Sequence, residues 1–189
     1  MLTSSISIYR LAAAVAVLTA AGAASAAPRP FDVAHAQVAF DVNSIGFGKT
    51  HGEFRSVNGR LSLDFDRPQN SRVDFTVATG SIETGSRQLD DYIRKTFLDA
   101  GDFPEMRFRS TAVREIDGSH VDVTGDLTLH GVTRPLTVRV SVDATERGQP
   151  VRFTAVGVIR RSEFGIRAAT PIVADEVAIR VATQAVPGR

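Results

Sequence analysis

The 189-residue chain contains no cysteine and no tryptophan. Without cysteine it can form no disulfide, build no thiolate metal site and take no lipid on an N-terminal thiol, so burial alone must hold it together. It also lacks any excess of charge, with 22 Lys+Arg against 21 Asp+Glu. That balance excludes the basic field that would favour nucleic acid or an anionic membrane surface. No nucleophile elbow, Gly-rich phosphate loop or H-E-x-x-H stretch is present. The four histidines, His35, His51, His120 and His130, are scattered without the spacing of a zinc site and read as solvated strand and turn residues. Asp90 and Asp91 are adjacent, so on a helix they point about 100° apart and cannot act as paired acids. Arg160-Arg161 reads as a solvated strand end rather than a basic patch.

What is present begins with a leader. Arg10 is the only charge in the first 26 residues; an apolar run over residues 11–21 and then Ala24-Ser25-Ala26 follow it. This is the n-region, h-region and A-x-A pattern of a secretory signal peptide, and the run is too short for a confident membrane span. Cleavage is expected before Ala27, leaving residues 27–189 as one domain with no integral membrane segment. Losing Arg10 makes the mature charge balance 21 against 21.

From residue 31 onward the chain reads as strands. Val38, Phe40 and Val42 alternate with polar or small neighbours, as do Leu61, Leu63 and Phe65, and Val73, Phe75 and Val77. Asn58-Gly59 between such runs predicts a hairpin turn. Residues 84–98 break the pattern: Leu89, Tyr92, Ile93 and Phe97 fall at helical spacing, with Ser86 as N-cap. Asp90–Arg94 and Asp91–Lys95 are the expected i,i+4 pairs on that helix. Met106 and Phe108 resume the strand period, and Asp117-Gly118 turns into Val121 and Val123. Residues 125–142, GDLTLHGVTRPLTVRVSV, form the central hairpin: Leu127 and Leu129, then Leu136, Val138, Val140 and Val142, share one face. Arg147-Gly148 turns into Val151, Phe153 and Ala155, and Val177, Ile179 and Val181 carry the last strand. Short turns between alternating strands predict an all-β antiparallel meander, closed as a barrel or folded as a sandwich. A small barrel can be filled by its side chains or can hold one ligand, and alternation alone leaves both open.

GDLTLHGVTRPL is similar to the G-D-L-T-x-x-G-V-T-x-P signature of the YceI-like family of secreted lipocalin-like proteins. SIETG (81–85), DFPEMRFRST (102–111), RRSEFGI (160–166) and DEVAIRV (175–181) follow in the family's order. The resemblance covers nearly all of the chain after the leader. It implies an antiparallel up-and-down eight-stranded lipocalin-like β-barrel with one short amphipathic helix in the connection after the fourth strand. It also implies a periplasmic polyisoprenoid-binding role. The chain departs from the pattern at Ser44, Leu89 and Tyr92, where the family commonly carries His, Arg and His, so head-group contacts by those side chains do not carry over.

The resulting expectation is a non-enzymatic carrier without covalent cofactor, holding an isoprenoid lipid or quinone tail. Phe40, Phe54, Phe75, Val77, Phe108, Leu127, Leu129, Leu136, Val138, Val140 and Phe153 are expected to contact the tail inside the barrel. The two long connections, 79–104 and 160–175, fall at one end together with Asn58-Gly59 and the 130–133 turn, because successive meander connections alternate ends. Long connections commonly carry lids. Leu89, Ile93 and Phe97 are therefore expected at the mouth, flanked by Phe103 and Phe164, with the helix gating access; the alternative is a helix that plugs that end. Expected partners are the lipid, transient contact with a membrane quinone protein, and a second copy of the chain. Two competing functions are an enzyme acting on a bound lipid, which needs an activated nucleophile or base, and a β-sandwich interaction module with a filled core.

Overall fold

The alternating runs become neighbouring strands of one antiparallel sheet. The computed structural model describes residues 28–46, 48–143 and 150–187; the expected leader and the expected turn at Arg147-Gly148 lie outside the described residues. In chain order the strands are β1 (Arg29–Ser44), β2 (Gly48–Phe54), β3 (Val57–Leu63), β4 (Arg72–Ala78), β5 (Ile82–Glu83), β6 (Glu105–Asp117), β7 (His120–Leu129), β8 (Val132–Asp143), β9 (Val151–Arg160) and β10 (Val173–Pro187). Their spatial order is β10-β9-β8-β7-β6-β4-β3-β1-β2-β5, and β10 also pairs with β1, so the sheet curls back on itself. The family resemblance implies eight strands; ten are described. Two features account for the difference. β2 and β3 run along the same edge of β1 in one register, Val38 opposite Phe54 and Asp32 opposite Arg60, with only Arg55 and Ser56 between them. The other is β5, which has two residues and pairs only with the end of β2.

Asn58-Gly59 is not a turn. Both residues lie inside β3, opposite Thr76 and Phe75 of β4. The glycine is there because the Phe75 ring lies over it: a Cβ at Gly59 would sit 2.5 Å from Phe75 Cε1. Gly52 and Gly125 lie under Phe40 and Phe108 in the same way, at 2.5 and 2.6 Å. Aromatic rings covering strand glycines let the sheet bend sharply while keeping its inner face apolar. The 130–131 turn, by contrast, is a two-residue hairpin with both residues at positive φ, 51° for His130 and 71° for Gly131, as a type I′ connection requires.

Between β5 and β6 the chain forms α1 (Arg87–Tyr92), capped by the Ser86 hydroxyl accepting from the Leu89 N–H at 3.4 Å. A π-helical turn, Ile93–Phe97, continues it. Leu98 N–H bonds the Ile93 carbonyl at 3.0 Å, and the extra residue per turn carries Leu98 into the core. The expected Asp90–Arg94 pair does not form. Asp90 is buried and accepts from Thr84 N–H and Thr84 Oγ1 at 2.7 and 2.8 Å. Arg94 instead pairs with Asp91 at 2.8 Å and donates to the Gly80 and Ile82 carbonyls.

Arg161 is the largest departure from the expected surface pattern. Its side chain is buried, and its guanidinium donates to the carbonyls of Ala174, Ile166, Ala168 and Val173 and to Thr170 Oγ1, at 2.7 to 3.2 Å. It also lies over the Phe97 ring, 5.6 Å from the centroid. One planar five-donor group thus orders the whole connection between β9 and β10 and ties it to the helical segment. Burial pulls its pKa down, and Asp175 opposes that pull. Removing the guanidinium strands several carbonyls at once. Arg161→Ala is expected to cost ~3 kcal/mol or more, and Arg161→Lys nearly as much, because an ammonium cannot span that fan. Urea unfolding of both variants checks this.

Candidate functional site

Alternation places one set of side chains inside the curl, and they do not fill it. A cavity of about 280 Å³ runs through the sheet, lined chiefly by apolar side chains of β3, β4 and β6–β10. Phe75, Val77, Phe108, Leu127, Leu129, Leu136, Val138, Val140 and Phe153 of the expected set all line it. Leu61, Val73, Val113, Val123, Val142, Ile159 and Val181 line it too. They carry the same period-2 signal but were outside the expected set, because alternation marks a face and does not say how far along that face the space extends. The packing divides accordingly. One buried cluster around Ile82, Leu98, Leu127 and Phe164 occupies one end, while two smaller clusters, around Leu61 and around Val123, stand on the walls at the other.

The helix end is sealed. Ile82, Leu98, Phe164 and Ile166 are 1%, 8%, 2% and 6% exposed and close it off. The two long connections do share this end, but they pack on each other, Arg161 of one lying over Phe97 of the other, and Phe103 lies against His130 of the 130–131 turn with ring centroids 4.5 Å apart. Leu89, Ile93, Phe97, Phe103 and Phe164 are absent from the cavity wall. Ile93 and Phe97 pack against the end cluster, Phe164 belongs to it, and Leu89 is half-buried on α1. Phe40 and Phe54 are also absent; they pack on each other, 5.9 Å apart, and within that cluster. The expectation of a gating helix is therefore corrected to a plug: two long connections, one burying Leu98 and the other Phe164, fill an end instead of opening it.

The cavity reaches the surface at the opposite end, between the 64–71 connection and the 117–120 turn, both of which line it. Asp64 organises the first of these. Its carboxylate accepts from the Arg67 N–H at 2.9 Å and from Asn70 Nδ2 at 3.1 Å, while its own N–H donates to Ser71 Oγ at 3.0 Å. The Asn70 hydrogen bond chiefly holds its pKa below the ordinary carboxylate value, against burial. Phe65 stands half-exposed beside it with its ring edge-on to Phe31. In the 117–120 turn, Asp117 accepts from Ser119 N–H, Ser119 Oγ and His120 Nδ1 at 2.8 to 2.9 Å.

Asp, Ser and His thus converge at the mouth, but not as a hydrolytic triad. Both Asp117 and Ser119 meet the same ring atom, His120 Nδ1, the serine at 3.0 Å. A triad needs the serine on one imidazole nitrogen and the acid on the other, so that the base can take the hydroxyl proton. This arrangement is a capped turn. Among the described residues no group of three or more His, Asp or Glu side chains is placed to hold a metal ion, and no helix is long and apolar enough to cross a membrane.

Chiefly through the Ser119 N–H, then His120, Asp117 is pulled down to about 2 from its ordinary 3.8. A carboxylate depressed in the folded state adds stability above its unfolded value and loses it as pH falls through its folded value. The turn should therefore persist at pH 4 and loosen only as pH falls from 3.8 toward 2. A carboxyl-detected NMR titration is expected to place Asp117 near 2, and His120→Ala to raise it part of the way.

A family profile described as the YceI-like domain matches residues 30–185. The chain is 34% identical over 172 residues to a UPF0312 protein of Pseudomonas savastanoi pv. phaseolicola, covering 87% of this chain and 89% of that one. It is 31% identical over 177 residues to Protein YceI of Escherichia coli O157:H7, covering 90% and 92%. Among solved structures it is similar to Burkholderia cenocepacia BcnA, with a TM-score of 0.73 at 27% identity over 79% of this chain and 95% of that one. It shares its fold with a polyisoprenoid binding domain from Saccharophagus degradans implicated in plant cell wall breakdown, with a TM-score of 0.68 at 12% identity over 86% and 100%. The profile match over residues 30–185, together with relatives more than 30% identical along most of their length, shows that the chain belongs to the YceI-like family.

Proposed function

We propose that this chain is a secreted, periplasmic binding and carrier protein that holds the tail of an isoprenoid lipid, of polyprenyl or quinone type, inside its sheet. The observation that carries this reading is the cavity of about 280 Å³, apolar along its walls, sealed at the helix end and open at the other. A cavity of ~150 Å³ lined by Leu, Ile and Phe holds one benzene. Scaled from that, the enclosed space takes roughly ten carbons, about two isoprene units, and the remainder of a longer chain continues into the mouth. At ~0.8 kcal/mol for each CH₂ removed from water, those carbons supply about 8 kcal/mol before the cost of association. Such binding needs no polar anchor, in keeping with the replacement of family His and Arg by Ser44, Leu89 and Tyr92. The polyisoprenoid-binding description of the Saccharophagus degradans domain supports the ligand class.

The open interior speaks against a filled sandwich module, and the shared Nδ1 at the mouth against a hydrolase acting on the bound lipid. In this binding role the lining phenylalanines and branched residues contact the tail. Handover to a membrane quinone protein, and pairing of two copies, belong to this carrier reading as its further expected partners.

Organic extraction of purified protein followed by mass spectrometry is expected to release a prenyl lipid at near-stoichiometric level; a clean extract would count against the carrier. Val138→Arg puts an unpaired charge into the cavity wall and should empty the extract while also lowering stability by several kcal/mol. Export is tested separately: the protein recovered from a bacterial periplasm should begin at Ala27, and a mature product that starts at Met1 would mean an anchor.

A further inference from the structure

The mouth differs chemically from the walls behind it. Cavity-lining residues at the open end include the carboxylates of Asp64, Glu115 and Asp117. Glu115 lies opposite Val121, one step along the inner face from Val113 opposite Val123, so β6 carries its carboxylate on the face that lines the cavity. Asp117 is held as an anion by the turn that it closes. Only two basic side chains are among the lining residues. His120 is hydrogen-bonded to Asp117, and Arg107 is engaged with Asp74 through a pair of bonds at 3.0 and 2.6 Å. Arg67 lies 3.4 Å from Asp64 and offsets that one carboxylate.

Building on the carrier reading, we infer that this rim sets the head-group class: the site takes isoprenoids with an uncharged head and turns away phosphorylated ones. The cavity makes the site and the carboxylates select what it holds. A tail inserted toward the sealed end leaves its head at the 64–71 connection and the 117–120 turn. A phosphate there brings up to two negative charges within a Debye length of Glu115 and Asp117, while the one guanidinium among the lining residues, that of Arg107, is already turned to Asp74. A hydroxyl or a quinone ring meets no such repulsion, and a hydroxyl can donate to the carboxylates.

The test uses two ligands with the same fifteen-carbon tail, farnesol and farnesyl monophosphate, titrated into delipidated protein at low ionic strength. Farnesol is expected to bind at least ~10-fold more tightly. Because phosphate hydration alone favours the alcohol, the decisive quantity is how that ratio changes. Added salt should narrow it, and Glu115→Gln with Asp117→Asn should narrow it several-fold. Glu115→Gln alone leaves every hydrogen bond of the 117–120 turn in place and should narrow it part of the way, so the test survives if the double variant folds poorly. A ratio unchanged in both variants and in salt, or a phosphate that binds as tightly as the alcohol, overturns the inference while leaving the carrier standing. If neither ligand binds, the isoprenoid reading itself falls and this inference falls with it.

Discussion

The guanidinium of Arg161 supplies hydrogen bonds to a connection whose carbonyls would otherwise face one another across the end of the sheet, and the sealed end depends on it. A curled sheet leaves two openings, and backbone that crosses either must satisfy its polar groups without a ladder. Here four carbonyls and a threonine hydroxyl of residues 166–174 converge on one side chain. The same cation lies on Phe97, so the order of the 161–172 connection and that of the helical segment are coupled. Desolvating a guanidinium is costly, but arginine is weakly hydrated and its fork fits several carbonyls at once. With that end fixed, Phe164, Ile166, Ile82 and Leu98 can be buried as a floor, and only the opposite end is left for a ligand.

The walls obey a second constraint, which is curvature. Phe40, Phe75 and Phe108 each lie over a glycine, and each glycine has room for the ring only because it has no side chain. A Cβ there would force ring and backbone apart, so the pairs fix the bend and the cavity width together. On the outer face the strands are tied by ion pairs across the ladder: Asp74 to Arg107 at 2.6 Å, and Asp122 to Arg139 and Arg114 at 2.9 and 3.2 Å. Such exposed pairs contribute little individually. Their placement still matters for register, since a one-residue slip would bring arginines into the apolar interior.

Strand periodicity was legible because a half-buried sheet imposes period 2 on its sequence. Leu127, Val138 and Phe153 could be placed on the inner wall from their neighbours alone, and the Ser86 cap from its position before an amphipathic run. The misreadings share a physical cause: a local signal answered to a distant partner. Asn58-Gly59 has turn chemistry, but its glycine serves the Phe75 ring, sixteen positions away in β4. Asp90 has an arginine four residues on, yet the unsatisfied groups nearest to it in space are the N–H and hydroxyl of Thr84. Arg161 looks like half of a surface pair until the carbonyls of residues 166–174 fold around it. Loop length marked where the long connections meet, but whether they would open or fill that end was settled by Leu98 and Phe164, whose burial depends on tertiary packing.

Where this chain departs from the pattern of its family follows the same division of the fold. Leu89 and Tyr92 lie on α1, and Ser44 closes β1 beside the 161–172 connection, where Ile45 N–H bonds the Ile172 carbonyl at 2.8 Å. All three replacements therefore fall at the sealed end, and none of them lines the cavity. Asp64, Ser71, Glu115, Asp117, Ser119 and His120, by contrast, line the cavity at the other end. In this chain the polar groups of the mouth and the end that is closed are thus separate, so a change in the floor can alter stability without touching the mouth.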